Sequence, residues 1–236
     1  MTIEIALLLL ESALLVVTII LILYSIRESA RRRDLLIGVG KATKILTRIE
    51  YFSAVSDSMM EAQEEIIGYV TGRRAYGDDE RKVTAILDAI KRAASRGVRV
   101  KYILPKFHDR LYMGYLYSSA GAEVKYRGGS LVHSLRYMVV DGRLVVIGIP
   151  EGTGRREMTS KGHWLPSRAL AGILKNHFHP RWQKSATFGE FVDEVLKQTG
   201  VSLNQLALEL GIEAKKLEMI LTKPLPQSHG GQDKSN

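Results

Sequence analysis

The chain has 236 residues and no cysteine, and its lysine and arginine residues outnumber its aspartate and glutamate residues by 34 to 25. The absence of cysteine excludes disulfides, cysteine–zinc sites and a thiol nucleophile. Apolar residues make up 45% of the chain, which argues against extended disorder. The length allows one ordinary domain with additional segments. The basic excess has three possible explanations: a phosphate-bearing ligand, an anionic membrane surface, or the positive-inside rule for membrane proteins. The positions of the charges along the chain distinguish these explanations.

An apolar run near the N-terminus predicts a membrane anchor. Residues 5–24 read IALLLLESALLVVTIILILY, long enough to cross a hydrocarbon core of about 30 Å as one helix. A basic cluster from Arg27 to Arg33 follows the run and no basic residue precedes it, so the positive-inside rule places the C-terminal body in the cytoplasm. No small-residue cleavage site follows, which argues against a removable signal. We therefore predict a single-pass anchor in the cell membrane over residues 1–26.

The remainder of the chain alternates helical and strand periodicity, which is typical of an α/β domain. Residues 27–53 continue the basic pattern and are predicted to form a juxtamembrane connector. Asp141-Gly142 between two apolar runs is a strong hairpin signal. In chain order the pattern predicts a helix over 57–65, a strand over 66–71, a loop over 72–79, a helix from 80 that stops at Gly97, a strand over 98–105, a helix over 111–119, a strand over 122–126, hairpin strands over 135–140 and 143–149, and a helix over 167–184.

Four segments occur in an order that resembles one half of the phospholipase D superfamily, over residues 54–185. They read RAASRGVRVKYILP, GAEVKYR, VVDGRLVVIG and LAGILKNHFHPRW. The resemblance implies a mixed sheet flanked by helices. It also implies a His-x-Lys-x-x-x-x-Asp motif, of which two copies form one phosphodiesterase site: one imidazole attacks phosphorus, the other protonates the leaving oxygen, and cations stabilise the phosphoryl oxygens. This chain carries one copy at most, so the resemblance implies a homodimer.

The motif is degenerate in this chain. Counting back from Asp141, the position of the histidine falls on Ser134 and that of the lysine on Arg136, while the nearby imidazole, His133, comes one residue too early. A one-residue offset along a strand turns a side chain to the opposite face, unless a bulge turns it back. Gly148-Ile149-Pro150-Glu151 also departs from the Gly-Ser and following Asn that family members carry. The run RYMVVDGRLVVIGIPEG is similar to the sensory domains of archaeal TrmB-type regulators, which lack the motif and bind small ligands.

Two hypotheses follow for this site. The first is anion binding, in which Ser134 donates a hydroxyl hydrogen bond and Arg136 holds a phosphate or carboxylate bidentately. The second is a dimeric phosphodiesterase with His133 as the catalytic nucleophile. A basic glycine loop with Arg155 and Arg156 adds a candidate phosphate loop. Asp141 has two interpretations as well, the aspartate of the motif and an ordinary turn residue.

The sequence indicates no metal and no cofactor. His177 and His179 are two residues apart on a predicted helix, so they cannot share a face to bind one ion. No G-x-x-x-x-G-K-[ST] sequence is present, which argues against a P-loop nucleotide site.

The C-terminal part predicts a small helical module over residues 187–223. Within it, GVSLNQLALELGIEAKKLEMIL at 200–221 has a Ser202/Gln205 capping box and a turn at Gly211 between two apolar stripes. This pattern resembles the helix-turn-helix of DNA-binding regulators. The tail, 224–236, is polar and is predicted to be disordered.

The net charge of this module bears on whether it binds DNA or another protein. Lys215 and Lys216 begin the second helix and are the candidate DNA-binding residues, but acids outnumber bases by two over residues 187–223. Phosphate contacts dominate DNA affinity, so a protein-interaction module is at least as well supported. Three functional hypotheses therefore stand: a membrane-anchored anion-binding or scaffolding protein, a dimeric phosphodiesterase, and a membrane-tethered DNA-binding regulator.

Overall fold

The computed structural model describes residues 44–75, 77–129, 136–150 and 159–222. The predicted anchor and the predicted disordered tail lie outside these ranges. Within them, no helix is both long and apolar enough to cross a membrane. The described residues belong to one compact unit that begins at Lys44.

Eight strands and seven helices make up the described part of the chain, together with a 3₁₀ turn at His108–Arg110. In chain order they are β1 (Lys44–Thr47), α1 (Arg48–Met60), β2 (Glu65–Tyr69), α2 (Asp78–Ser95), β3 (Arg99–Pro105), α3 (Leu111–Ser119), β4 (Glu123–Arg127), β5 (Arg136–Val140), β6 (Leu144–Pro150), β7 (Thr159–Pro166), α4 (Arg168–Gln183), β8 (Ala186–Thr187), α5 (Phe188–Thr199), α6 (Leu203–Leu210) and α7 (Ala214–Leu221).

The strands form one mixed sheet in the order β1-β7-β6-β5-β2-β3-β4-β8. The pairs β2–β3 and β3–β4 are parallel and are connected through α2 and α3, as parallel strands require a crossover. The other pairs are antiparallel, and β5 and β6 are the predicted hairpin around Asp141-Gly142. The prediction of an α/β fold with a mixed sheet flanked by helices is confirmed.

The N-terminal boundary of the sheet differs from the predicted one. β1 and the start of α1 lie inside residues 27–53, which the sequence pattern assigned to a connector. β1 has four residues and buries one of them, Leu46, so it lacks the apolar alternation that reveals a strand. Its partner β7 reads TSKGHWLP and is also largely polar. It lies second from the edge of the sheet. Both strands are recognised through their pairing rather than through their composition.

The first helix also differs, since it covers Arg48–Met60 instead of 57–65. It begins at a capping box, in which Thr47 Oγ1 accepts from Glu50 N–H and the Glu50 carboxylate accepts from Thr47 N–H at 2.8 Å. It ends before residue 63 because the N–H groups of residues 63–65 donate to the Asp141 carboxylate. Those N–H groups are therefore not available to continue the helical ladder.

The two helices predicted within 200–221 are present as α6 and α7, and they share the core of the sheet. Gly211 ends α6 in the left-handed conformation (φ 69°), and Ile212 N–H returns to the Ala207 carbonyl at 2.9 Å. Leu206, Ala207, Leu210 and Leu217 belong to the same buried cluster as the strand residues. The described residues 187–222 thus share one compact unit and one buried cluster with the described strands.

Candidate functional site

A cavity of about 270 Å³ lies between the sheet and the two helices α1 and α2. Its floor is formed by β2, β3 and β5, and its walls by α1, by the start of α2 and by the loop of residues 70–75 that joins β2 to α2. It therefore lies next to the carboxyl end of the parallel strand β2, which is a common kind of place for ligand sites in α/β folds.

Arg136, the candidate anion-binding residue, lines this cavity. It is the first residue of β5, and its side chain points to the same face as Met138 and Val140 because strand side chains alternate. It is only 4% exposed. Its Nη1 donates to Thr159 Oγ1 of β7 at 2.9 Å, so the start of β7 helps to fix the guanidinium.

Tyr51 of α1 lies beside Arg136, over two glycines of the neighbouring strands. A Cβ on Gly148 would be 2.8 Å from the Tyr51 hydroxyl oxygen, and a Cβ on Gly162 would be 2.4 Å from Cδ2 of the ring. No side chain fits at either position while the ring is there. Burial raises the pKa of the Tyr51 phenol to about 12, with the positive charge of Arg136 partly opposing the rise. The phenol is therefore neutral at physiological pH and can donate a hydrogen bond.

The rim of the cavity is basic. Arg48 of α1 forms an ion pair with Asp79 of α2, and Lys82 Nζ donates to the same carboxylate at 2.9 Å. Burial raises the pKa of Asp79, but the hydrogen bond of Lys82 and the charge of Arg48 outweigh it, so the pKa lies below its usual value. Arg73 and Arg74 follow in the loop. Counting Arg136, four arginines and one aspartate line the cavity, which gives a formal charge of +3.

The remaining lining is largely apolar and aromatic. Tyr102 and Tyr117 are in edge-to-face contact at 5.3 Å between ring centroids, and burial raises the pKa of each phenol further above the physiological range. The cavity thus combines a polar, cationic part with an apolar part. The apolar lining consists of Phe52, Val55, Met59, Val70, Val83, Ile86 and Met138.

Of the predicted anion-binding residues, the structure places Arg136 in the cavity. Ser134, His133, Arg155 and Arg156 lie outside the described ranges, so their predicted roles stay predictions. No group of histidine, aspartate and glutamate side chains that could hold a metal ion occurs among the described residues.

Asp141 lies at the other end of β5 from Arg136, and its carboxylate accepts hydrogen bonds from backbone N–H groups. It accepts from the N–H groups of Gln63, Glu64 and Glu65 at 3.0, 2.9 and 3.1 Å. Its own backbone is left-handed (φ 49°), as the first residue of a type I′ hairpin turn requires. The turn interpretation therefore describes Asp141 correctly, and the carboxylate also anchors β2 to the hairpin.

The candidate DNA-binding residues, and His177, whose spacing from His179 argues against a metal site, do not line the cavity. Lys215 and Lys216 are exposed on α7, and Lys216 Nζ donates to Glu213 at 2.6 Å, which raises the pKa of Lys216. His177 of α4 has its Nδ1 3.0 Å from the Tyr137 hydroxyl. Burial, followed by the charge of Arg181, lowers the pKa of His177.

Sequence reasoning missed several residues of the cavity. Arg48 and Tyr51 lie in residues 27–53, which were assigned to a connector, and Thr159 lies within the predicted sheet domain but in no predicted strand. The paired arginines of the GRRAYG loop, Arg73 and Arg74, were assigned only to a turn. The available signal was the Thr47/Glu50 capping pattern, which marks the start of α1 and hence brings its first turn into the domain.

No protein-family model and no curated protein matches the chain. Among solved structures, it is similar to TrmBL2, an archaeal chromatin protein with a described mode of DNA binding, at 18% identity and a TM-score of 0.44; the match covers 70% of this chain and 63% of that one. The chain thus spans less than two thirds of that protein.

Two bacterial proteins show comparable similarity. Nuc from Salmonella typhimurium, a phospholipase D family member, is 16% identical with a TM-score of 0.47, and the match covers 62% of this chain and 97% of that one. NucT from Helicobacter pylori is 12% identical with a TM-score of 0.46, with 61% and 98% covered. The protein thus combines a mixed α/β fold with a basic, partly apolar cavity.

Proposed function

We propose that the protein is a ligand-binding module whose cavity takes a small molecule with one anionic group and an apolar body. The observation that carries the proposal is the position of Arg136, a 4% exposed arginine at the inner end of a cavity with a formal charge of +3. A guanidinium fixed at such a place can bind a phosphate or carboxylate through charge-assisted hydrogen bonds. These bonds are stronger in a site shielded from water than on the surface.

The cavity is suited to an anion by its donors as well as by its charge. A guanidinium presents donors in a planar fork that matches carboxylate and phosphate oxygens. The neutral phenol of Tyr51, next to Arg136, adds a donor that remains protonated over the physiological pH range. The low polarity of the surrounding side chains strengthens these electrostatic interactions relative to water.

The apolar part of the cavity indicates the chemical character of the rest of the ligand. Phe52, Met59 and Ile86 contribute apolar surface, and Tyr102 and Tyr117 contribute aromatic surface. Ligand pockets usually measure about 300 to 1,000 Å³, so 270 Å³ suits a small molecule. The proposed ligand class is therefore a phosphate monoester or carboxylic acid with a compact apolar or aromatic body.

Binding is proposed in preference to hydrolysis because Ser134 and Arg136 occupy the positions of the histidine and the lysine of the phosphodiesterase motif. The phosphodiesterase alternative requires His133 to reach the position next to Arg136. Turnover of a generic phosphodiester by the full chain in detergent, compared with His133→Ala, tests it. Turnover that His133→Ala abolishes would replace the binding proposal by the enzyme.

Calorimetric titration of the full chain with phenyl phosphate, benzoate and inorganic phosphate tests the binding proposal. We expect phenyl phosphate to bind more tightly than inorganic phosphate, because it also fills the apolar part. Arg136→Met should weaken binding roughly 10- to 100-fold, the loss of a charged hydrogen-bond partner, and Arg136→Lys should recover part of it. The control is Arg143→Met, since Arg143 is exposed at the far end of the hairpin. Equal binding by Arg136→Met and Arg143→Met would contradict the proposal.

The proposal includes attachment to the cell membrane through residues 1–26, with the ligand-binding body in the cytoplasm. It is supported by the apolar run at 5–24 and by the basic cluster that follows it. Protease protection of the C-terminal body in sealed, right-side-out cells tests the orientation. Light scattering in detergent tests the predicted homodimer, and a monomeric mass would argue against it.

The helices α6 and α7 are proposed to stabilise the domain and to present a protein-binding surface. Their buried residues, Leu206 and Leu217 among them, face the core, and the net charge of their segment is acidic. Retention on DNA at low salt that is lost in a Lys215→Glu, Lys216→Glu variant would favour the DNA-binding alternative instead.

A further inference from the structure

Three strands at one edge of the sheet carry apolar and basic side chains on the same face. Cross-strand neighbours in a sheet point to the same side, and the register of β1, β7 and β6 therefore defines two adjacent rows. Leu46, Gly162 and Gly148 lie between these rows and point to the face of the cavity. The edge patch, as we call it, consists of Ile45, His163 and Ile147 in one row and of Thr47, Lys161 and Ile149 in the next.

The edge patch is exposed at both of its ends. Ile45 is 71% exposed and Ile149 is 41% exposed, while Ile147 and His163 are half-buried between them. Lys161 is exposed in the middle of the second row. Single exposed apolar residues are common, but isoleucines grouped around a lysine on a strand face are typical of an interaction surface.

We propose that the edge patch lies against an anionic lipid surface. Its composition suits this partner, because isoleucine side chains enter the boundary between headgroups and acyl chains while a lysine ammonium contacts the headgroups. The nearby carboxylate of Glu50 accepts from Thr47 N–H and the Thr47 hydroxyl at 2.8 and 2.7 Å. It lies in the first turn of α1, where the positive end of the helix dipole offsets part of its charge.

The position of β1 in the chain supports the same partner. β1 is the first described element after the predicted anchor, and nineteen residues separate Tyr24 from Lys44. At about 3.3 to 3.6 Å per residue, such a segment spans at most roughly 70 Å. Of the described strands, β1 therefore has the shortest connection along the chain to the predicted anchor. The inference extends the proposed membrane attachment, but the edge patch itself is defined by described residues alone.

The absence of cysteine makes the proposal directly testable in the full chain. Ile45→Cys and Ile149→Cys each introduce a single thiol for an environment-sensitive fluorophore, at exposed positions where substitution leaves the core intact. Leu208→Cys, at an 81% exposed position on α6, is the matched control. The labelled chains are reconstituted with vesicles of phosphatidylcholine, with or without phosphatidylglycerol, and quenched by lipid-borne nitroxide or by aqueous iodide.

We expect nitroxide to quench the labels at 45 and 149 and to leave the label at 208 unchanged, with stronger quenching in vesicles that contain phosphatidylglycerol. Lys161→Glu should reduce this quenching, whereas Lys91→Glu, an exposed change on α2, should not. Equal quenching at 45 and 208 in chains that float with vesicles would overturn the edge patch and leave the anchor standing. Chains that fail to float would overturn both.

A second copy of the chain is the competing occupant, because β1 is the edge strand of the sheet that the described residues form. In that case the label at 45 would be shielded from iodide without quenching by lipid nitroxide. The shielding would also increase with protein concentration at constant lipid. This result would overturn the lipid proposal.

Discussion

Replacing Asp141 by alanine is expected to destabilise the whole domain, although Asp141 lies far from the cavity. Its carboxylate, 7% exposed, accepts from three backbone N–H groups, those of Gln63, Glu64 and Glu65. These bonds attach the start of β2 to the β5–β6 hairpin, and β2 is a central strand of the sheet. The perturbation therefore acts on sheet assembly and not on ligand contacts.

The magnitude follows from the bonds that are lost. Each hydrogen bond contributes about 1 kcal/mol net, and more when the acceptor is charged, so the three together give roughly 3 kcal/mol. Alanine is also less tolerant than aspartate of the left-handed φ of 49°, which adds about 1 kcal/mol. For a domain of this size, a loss of about 3 to 4 kcal/mol lowers the melting temperature by roughly 6 to 16 °C.

Urea unfolding of the full chain in mild detergent, followed by circular dichroism, measures the loss. Asp141→Asn should cost about half as much, because the remaining carbonyl oxygen still accepts and asparagine tolerates the left-handed conformation. Arg143→Ala is the control, since its contact with Asp141 is a 3.7 Å ion pair from a 53% exposed side chain, worth less than about 0.5 kcal/mol. An Asp141→Ala chain as stable as Arg143→Ala would refute the anchoring role.

Three further predictions follow from the packing. Gly162→Ala should lower both stability and phenyl phosphate affinity in calorimetry, because the new Cβ would be 2.4 Å from the ring of Tyr51; an unchanged affinity would mean that the ring is not part of the site. Leu217→Ala should destabilise the domain by roughly 3 kcal/mol in one cooperative transition, since this 0% exposed residue belongs to the common core; separate melting of the C-terminal helices would contradict this. Burial and then the charge of Arg181 lower the pKa of His177 below 6.5 in the folded chain. The unfolded chain therefore binds more protons at this residue, and stability is lost as the pH falls from above 6.5 through the folded pKa. Urea unfolding of His177→Gln, measured over this pH range, should show a smaller loss of stability.

Local sequence signals predicted much of the fold because they depend on neighbouring residues. The turn chemistry of Asp141-Gly142 predicted the hairpin, and the stripe that ends at Gly97 predicted α2. The run from Leu111 to Ser119 predicted α3 with its observed bounds. The same signals failed for β1 and β7, because polar strands near an edge carry little periodicity.

The candidate site was predictable only in part. Arg136 could be selected because its position relative to Asp141 is a count along one hairpin. Tyr51 could not, since its place depends on Gly148 and Gly162, about a hundred residues further along the chain. Arg48 could not for a similar reason, because its partner Asp79 lies on another helix.

The sequence by itself determined the alternation of helices and strands, the hairpin, and the residue that brings a cation to the start of β5. Only the tertiary structure decided that α1 and α2 enclose a cavity over that cation, that Asp141 anchors β2, and that α6 and α7 share the core of the sheet. Periodicity and turn chemistry act over a few residues, whereas these contacts join segments from about thirty to more than a hundred residues apart. Such contacts depend on the packing of the whole chain.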